Sequence, residues 1–267
     1  MGTHTTKKDG AWLQTVKPQP GLYLVATPIG NLRDMTLRAL DTLAGVDMIA
    51  CEDTRVSGKL LAAYDIDRPL LPYNDHNAAR QRGKILEMIA SGKSVALISD
   101  AGMPLVSDPG YKLVRDCLDL GLYITSLPGA NAPLTALQLS GLPTDKFCFL
   151  GFLPTKEKAR RDILQEWKGV KATLVIFESA PRLEETLADI EIVLGDRDVT
   201  VLRELTKMFE EIRRGKASLL LAHYRENGQP KGEIVLAIAP PPEMIFSDDE
   251  LSNKLKAALE TMGTKEA

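Results

Sequence analysis

The feature that most constrains this chain is a short aliphatic run, Val95, Ala96, Leu97 and Ile98, that empties into the loop SDAGMPLVSDPG at residues 99–110. Four apolar residues bounded by turn signals read as a buried strand, and the loop after it reads as a ligand-binding turn. Gly102 and Gly110 let backbone approach a ligand closely, while Pro104 and Pro109 stiffen the path between them. Open α/β sheets place their sites at such strand ends. Asp100 suits a ligand contact and a plain turn about equally. Asp108 is placed to cap a helix expected over residues 111–120.

The same order of strand, loop and helix recurs along the first half. Strands are expected at residues 22–26, 46–51, around 70–71, at 95–98 and at 122–126. Helices are expected from near Asp34 and over residues 56–64, 78–90, 111–120 and 134–139. Alternation of this kind predicts a mainly parallel sheet covered on both faces, with its loops gathered at one end.

The segment GLPTDKF at 141–147 breaks the pattern. It divides the chain into an arm (1–20), an α/β domain (21–143), an α+β domain (144–240) and a helical tail (241–267). The second domain is expected to hold strands at 147–152, 174–177 and 234–239, and an antiparallel hairpin of 198–205 with 208–213. Its helices are expected in the segment that begins FLPTKEKARR and over 182–194 and 217–224. The tail reads as an amphipathic helix over 248–262, with a second helix beginning where the chain ends.

Composition excludes several classes. With 44% hydrophobic residues the chain can bury a large core, and a formal net charge of −3 makes it no general binder of polyanions. Any nucleic-acid contact then needs a local basic patch. Cys51, Cys117 and Cys148 offer neither a disulfide framework nor metal-ligand spacing, which suits a reducing cytoplasm. No apolar run reaches a membrane-spanning length and the polar start lacks the core of a signal peptide, so a soluble protein without a membrane partner is expected.

The strings VATPIGNLRDMT, EDTR, YNDHN, SDAGMPLVSDPG, LPGANA, GFLP, ESAPRL, RELTK and KGE run in series from about Leu22 to Ala239. In that order the chain resembles bacterial small-subunit ribosomal RNA 2′-O-methyltransferases of the tetrapyrrole-methylase superfamily. The resemblance implies an α/β, two-domain class III S-adenosylmethionine methyltransferase. Its cofactor lies in the interdomain cleft, and it acts as a homodimer. The implied substrate is small ribosomal subunit RNA, at the ribose of a cytidine in the decoding region. This class has no GxGxxG turn, so the absence of that motif here is no objection.

Carried over by position, the resemblance assigns Asp100, Gly102 and Met103 to the cofactor, with Ala130 and Asn131 on a second turn and Pro28 on the first loop. Phe177, Glu178, Lys231 and Glu233 are assigned to close over the adenosine from the second domain. A ribose hydroxyl is a poor nucleophile while protonated, so a base is expected near it. Glu52, Asp53, Asp75, His76 and Glu204 are the candidates. EDTR reads either as substrate binding, with Arg55 gripping a phosphate beside Glu52 and Asp53, or as a helix cap with an ion pair. Lys156, Lys158, Arg160 and Arg161 sit at a helix start, where positive charge opposes the helix dipole, and are read as an RNA phosphate contact. Arg213, Arg214 and Lys216 form a weaker second patch. Two other readings stay open: methylation of a small tetrapyrrole, and a non-catalytic RNA-binding factor on the same fold.

Overall fold

The structure is a computed structural model that describes residues 16–242. The expected tail helix at 248–262 and most of the expected arm lie outside those residues.

The first half builds β1 (Gly21–Val25), α1 (Leu37–Gly45), β2 (Met48–Cys51), α2 (Thr54–Ala62), β3 (Leu70–Pro72), α3 (Ala78–Ala90), β4 (Ser94–Ile98), α4 (Tyr111–Asp119), β5 (Ile124–Leu127) and α5 (Ala132–Ser140). The strands form one parallel sheet in the order β3-β2-β4-β1-β5. Each face carries an apolar layer, one around Val25, Leu43 and Ile98 and the other around Leu22, Ile85 and Leu113. Burial on both faces explains why these strands read as unbroken aliphatic runs. From β1 the chain moves towards β2, and from β4 it moves the opposite way to β5. The carboxyl ends of the adjacent strands β1 and β4 are therefore the topological switch point, where a crevice opens.

The second half builds β6 (Phe147–Phe152), α6 (Glu157–Trp167), β7 (Thr173–Ser179), α7 (Leu183–Leu194), β8 (Asp198–Arg203), β9 (Glu211–Lys216), α8 (Ala217–Asn227) and β10 (Glu233–Ile238). Its sheet runs β6-β7-β10-β8-β9, antiparallel except for the β6 and β7 pair. Leu174, Leu187, Ile190, Val201 and Leu236 form its core. The opposite face of the sheet offers Val175, Leu202, Val235 and Ala237, which pack against Ala136 and Leu137 of α5 and against Ile29. Helix α5 thus joins the two sheets, and the cleft opens beside it.

Local chemistry explains where elements begin. Helix α1 starts at Leu37 rather than near Asp34 because Thr36 caps it, accepting from the Ala39 amide, and residues Leu32–Asp34 form a separate 3₁₀ turn. Helix α5 starts two residues before the expected 134 because Asn131 caps it and Pro133 sits in its first turn. The expected cap of α4 by Asp108 is not made: Gly110, with φ +141°, occupies that position without any side-chain bond. The second hairpin strand begins at Glu211, not at 208. Glu204 and Thr206 take left-handed backbone in the connecting loop.

Candidate functional site

A cavity of about 560 Å³ lies between the two sheets at the switch point. Its first wall is the loop after β4, with Asp100, Gly102, Met103, Ser107 and Asp108, beside Asn131 and Pro133 at the start of α5. Its second wall comes from the other sheet, with the apolar Phe152, Phe177, Leu202 and Val235 beside Glu178 and Glu233. Phe177 is met edge-on by Phe149 at 4.9 Å and at a tilt by Phe152 at 5.3 Å between ring centroids, so an aromatic cluster backs the wall.

The β4 loop is held by backbone bonds. Thr27 and Gly102 exchange N–H···O bonds of 2.8 and 3.1 Å, and the Thr27 and Ser99 hydroxyls donate into the same turn. Gly102 has φ +82°, a conformation that favours glycine. The Asp53 amide donates to the Asp100 carboxylate at 3.2 Å, tying the exits of β2 and β4 together.

The sheet edge is acidic. Burial first, then the charges of Asp100, Asp75 and Asp53, raise the Glu52 carboxyl. Burial likewise raises Asp100, partly offset by the bond from Asp53. Burial and then the Glu52 charge push Asp108 up to about 6, against a hydrogen bond from Ser99. Asp53 goes the other way, held at about 2 by its hydrogen bonds from the Arg55 side chain and amide. Among the described residues no group of His, Cys, Asp or Glu is placed to hold a metal ion.

Of the residues assigned to the cofactor, Asp100, Gly102, Met103, Asn131, Phe177, Glu178 and Glu233 line the cavity. Pro28, Ala130 and Lys231 do not. Pro28 is buried one residue short of the wall, which Ile29 forms instead. Ala130 stands behind Gly102, and Lys231 is exposed, contributing its carbonyl to Arg203. The Glu178 carboxylate is buried and bonded to Thr186, Arg182 and the Ser179 amide, so it anchors α7 at the edge of the cavity. The Glu233 carboxylate pairs with Lys207.

Among the candidate bases, Asp53 caps α2 and pairs with Arg55, so this half of EDTR is the cap and ion pair. Glu204 holds Lys207 and the Glu233 amide. His76 and Asp75 are off the cavity wall, with His76 exposed. Glu52 is half-buried and is also off the wall.

The basic run does not form one phosphate grip. Arg160 is 2% exposed and bonded to the buried Asp189 at 2.5 Å, with Glu185 and the Thr155 carbonyl also in reach. Arg161 pairs with Glu157 and with the same Asp189. Both arginines fasten α6 to α7, which explains positive charge at this helix start. Lys156 and Lys158 are exposed, the latter paired with Asp162. The second patch is also engaged: Arg213 pairs with Glu211, Lys216 with Asp198, and Arg214 binds the Ser140 and Leu139 carbonyls.

Sequence reasoning misses Asp108 and Phe152 on the cavity wall. Asp108 reads as a cap that Gly110 makes unnecessary. Phe152 is 58% exposed at the end of an apolar strand, and a large aromatic left exposed there is the available signal.

Comparison with known proteins agrees with this geometry. The family profile of the Tetrapyrrole (Corrin/Porphyrin) Methylases matches residues 21–220. A protein of Mesorhizobium japonicum named Ribosomal RNA small subunit methyltransferase I is 53% identical, over 83% of this chain and 76% of that one. Its namesake from Erythrobacter litoralis is 54% identical over 93% and 88% of the two chains. Among solved structures, a diphthine synthase superposes with a TM-score of 0.62 at 11% identity, covering 82% of this chain and 89% of that one. A uroporphyrin-III C-methyl transferase from Thermus thermophilus, complexed with S-adenyl homocysteine, gives 0.57 at 17% identity over 82% and 97%. At those identities the likeness is one of fold.

Proposed function

The chain belongs to the tetrapyrrole (corrin/porphyrin) methylases, in the group of the ribosomal RNA small subunit methyltransferase I proteins, and from that premise we propose that it methylates small-subunit ribosomal RNA. The donor is S-adenosylmethionine. The acceptor is the ribose 2′-hydroxyl of a cytidine in the decoding region of that RNA. The protein works as a homodimer in a reducing cytoplasm, to which its three unpaired cysteines are suited.

One observation carries the reading: one cavity lined both by the carboxylates of the β4 loop, Asp100 and Asp108, and by the aromatic rings of Phe152 and Phe177. That donor set fits a ligand with a cationic amino-acid end and a flat heteroaromatic end. Asp100 and the β4 loop would hold the ammonium end, and Phe177 with Phe152 the adenine. Gly102 brings the loop backbone close without a Cβ in the way. S-adenosylmethionine supplies a methyl group already activated by its positive sulfur. What remains for the protein is to hold the hydroxyl in line, exclude water and remove a proton.

The carboxylate-rich edge repels phosphate, so the RNA backbone must meet cations beyond it. Arg55, 86% exposed, stands there, and Lys156 and Lys158 on the second domain face solvent. The surface pairs of Arg55 and Lys158 are weak enough to exchange for phosphate.

The reading is tested by methyl transfer from labelled S-adenosylmethionine to small subunits that lack the modification, followed by mapping. Label on the ribose of one cytidine supports it. Label on another RNA position, or only on a porphyrinoid substrate, overturns it.

A further inference from the structure

Elimination at the cavity leaves one carboxylate that neither pairs with a cation nor anchors a backbone amide; its one hydrogen bond comes from the Ser99 hydroxyl. Asp53 and Glu204 are held by cations, Glu178 is locked under α7, Glu233 pairs with Lys207, and Asp100 anchors the Asp53 amide. Glu52 is not on the wall. Asp108 is on it, and among the described residues it has no cationic partner.

We infer that Asp108 is the proton acceptor for the attacking ribose hydroxyl, a role that rests on the methyltransferase reading above. The hydroxyl oxygen gives an electron pair to the methyl carbon, and the carbon–sulfur pair stays on sulfur. The hydroxyl proton passes to a carboxylate oxygen of Asp108, which later returns it to water. Placement favours this role, because Asp108 lines the cavity and shares the β4 loop with Asp100 and Gly102.

The groups facing it come from three exits of the first sheet. They are Glu52 after β2, Asp75 after β3, and Ser99 with Asp100 at the end of β4; Ser107 and Gly151 beside the loop carry no charge. Burial first, and then charged neighbours that are all carboxylates, hold the proton more tightly than an ordinary aspartate does. A base poised at about 6 is mostly ionised at neutral pH yet still takes up a proton readily.

The experiment measures kcat against pH for the parent, Asp108→Asn, Asp108→Glu and Glu52→Gln, with calorimetric titration of S-adenosylmethionine. Carboxyl carbon NMR of the ligand-free protein reads the titration without turnover. In the parent, kcat rises about tenfold per pH unit to a plateau above about 6. Asp108→Asn lowers kcat by about 10²- to 10⁴-fold and flattens the profile, with cofactor binding within about threefold. Asp108→Glu restores part of the pH-dependent limb. Glu52→Gln keeps the plateau and moves the midpoint to lower pH, because a repelling charge is gone. The inference is overturned if Asp108→Asn keeps kcat within about fivefold, if Glu52→Gln removes the limb instead, or if the Asp108 carboxyl titrates near 4. Absence of methyl transfer by the parent overturns the assigned function itself, and the role with it, whatever the titration reads.

Discussion

Thr27 and Gly102 exchange backbone hydrogen bonds in both directions, so the loops leaving β1 and β4 are stitched together where the cavity begins. The stitch requires Gly102 at φ +82°, and a Cβ there would stand 3.2 Å from Ile29 Cγ2. Gly102→Ala is expected to lose about 1–2 kcal/mol of stability, since left-handed backbone is unfavourable for L-residues. Cofactor affinity should fall about tenfold as the loop shifts. Gly83→Ala, within α3 with nothing within 4 Å of the added carbon, should instead gain about 0.5–1 kcal/mol. Thermal melts and calorimetric titration of both variants check the contrast; equal effects would refute it.

Phe152 separates ligand binding from folding. It is largely exposed yet lines the cavity and meets Phe177, so Phe152→Ala removes little buried area. Stability should change by less than about 0.5 kcal/mol, while KM for S-adenosylmethionine rises about tenfold, as expected for a lost aromatic contact of about 1 kcal/mol or more. An unchanged KM would remove the aromatic wall from the cofactor site.

The parallel half is legible in the sequence because β1, β2 and β4 are buried on both faces and leave uninterrupted aliphatic runs. The β4 loop is legible as a site for the same reason: its punctuation follows a buried strand directly. Charge is harder to read. Arg160 and Arg161 look like a phosphate patch because their partner, Asp189, lies on another helix, and no local spacing reveals a pair formed between α6 and α7. The anchoring by Glu178 is hidden for a related reason, since it points under its own chain to Thr186. Asp108 is hidden by a plausible local rule, the helix cap, which the positive φ of Gly110 sets aside.

The charges of α6 give opposite predictions for neighbouring residues. Asp189→Ala leaves Arg160 buried without its carboxylate and should cost about 3–5 kcal/mol, seen as a large fall in melting temperature. Lys156 is exposed at the helix start, and Lys156→Ala should leave the melt unchanged. It should weaken RNA binding evenly across sequences and lower the slope of log affinity against log salt by about 1. A salt slope unchanged by Lys156→Ala would take this helix start out of the RNA interface.

Asp108 also ties the site to stability. Its folded-state pKa of about 6 lies above the unfolded value near 3.9, so the folded protein holds this proton more tightly. The resulting stabilisation is fully present below about pH 4 and is lost as pH rises through about 6. At about pH 7.5 the ionised, half-buried carboxylate therefore destabilises the parent, by about 1–2 kcal/mol once solvent screening is allowed for. Asp108→Asn removes that penalty and should be the more stable protein at about pH 7.5, with the gap closing towards about pH 4. Urea unfolding at the two pH values measures it directly. A variant that is less stable than the parent at the higher pH would mean that Asp108 serves the fold, and that the charges of Glu52 and Asp100 do not press upon it as the structure indicates.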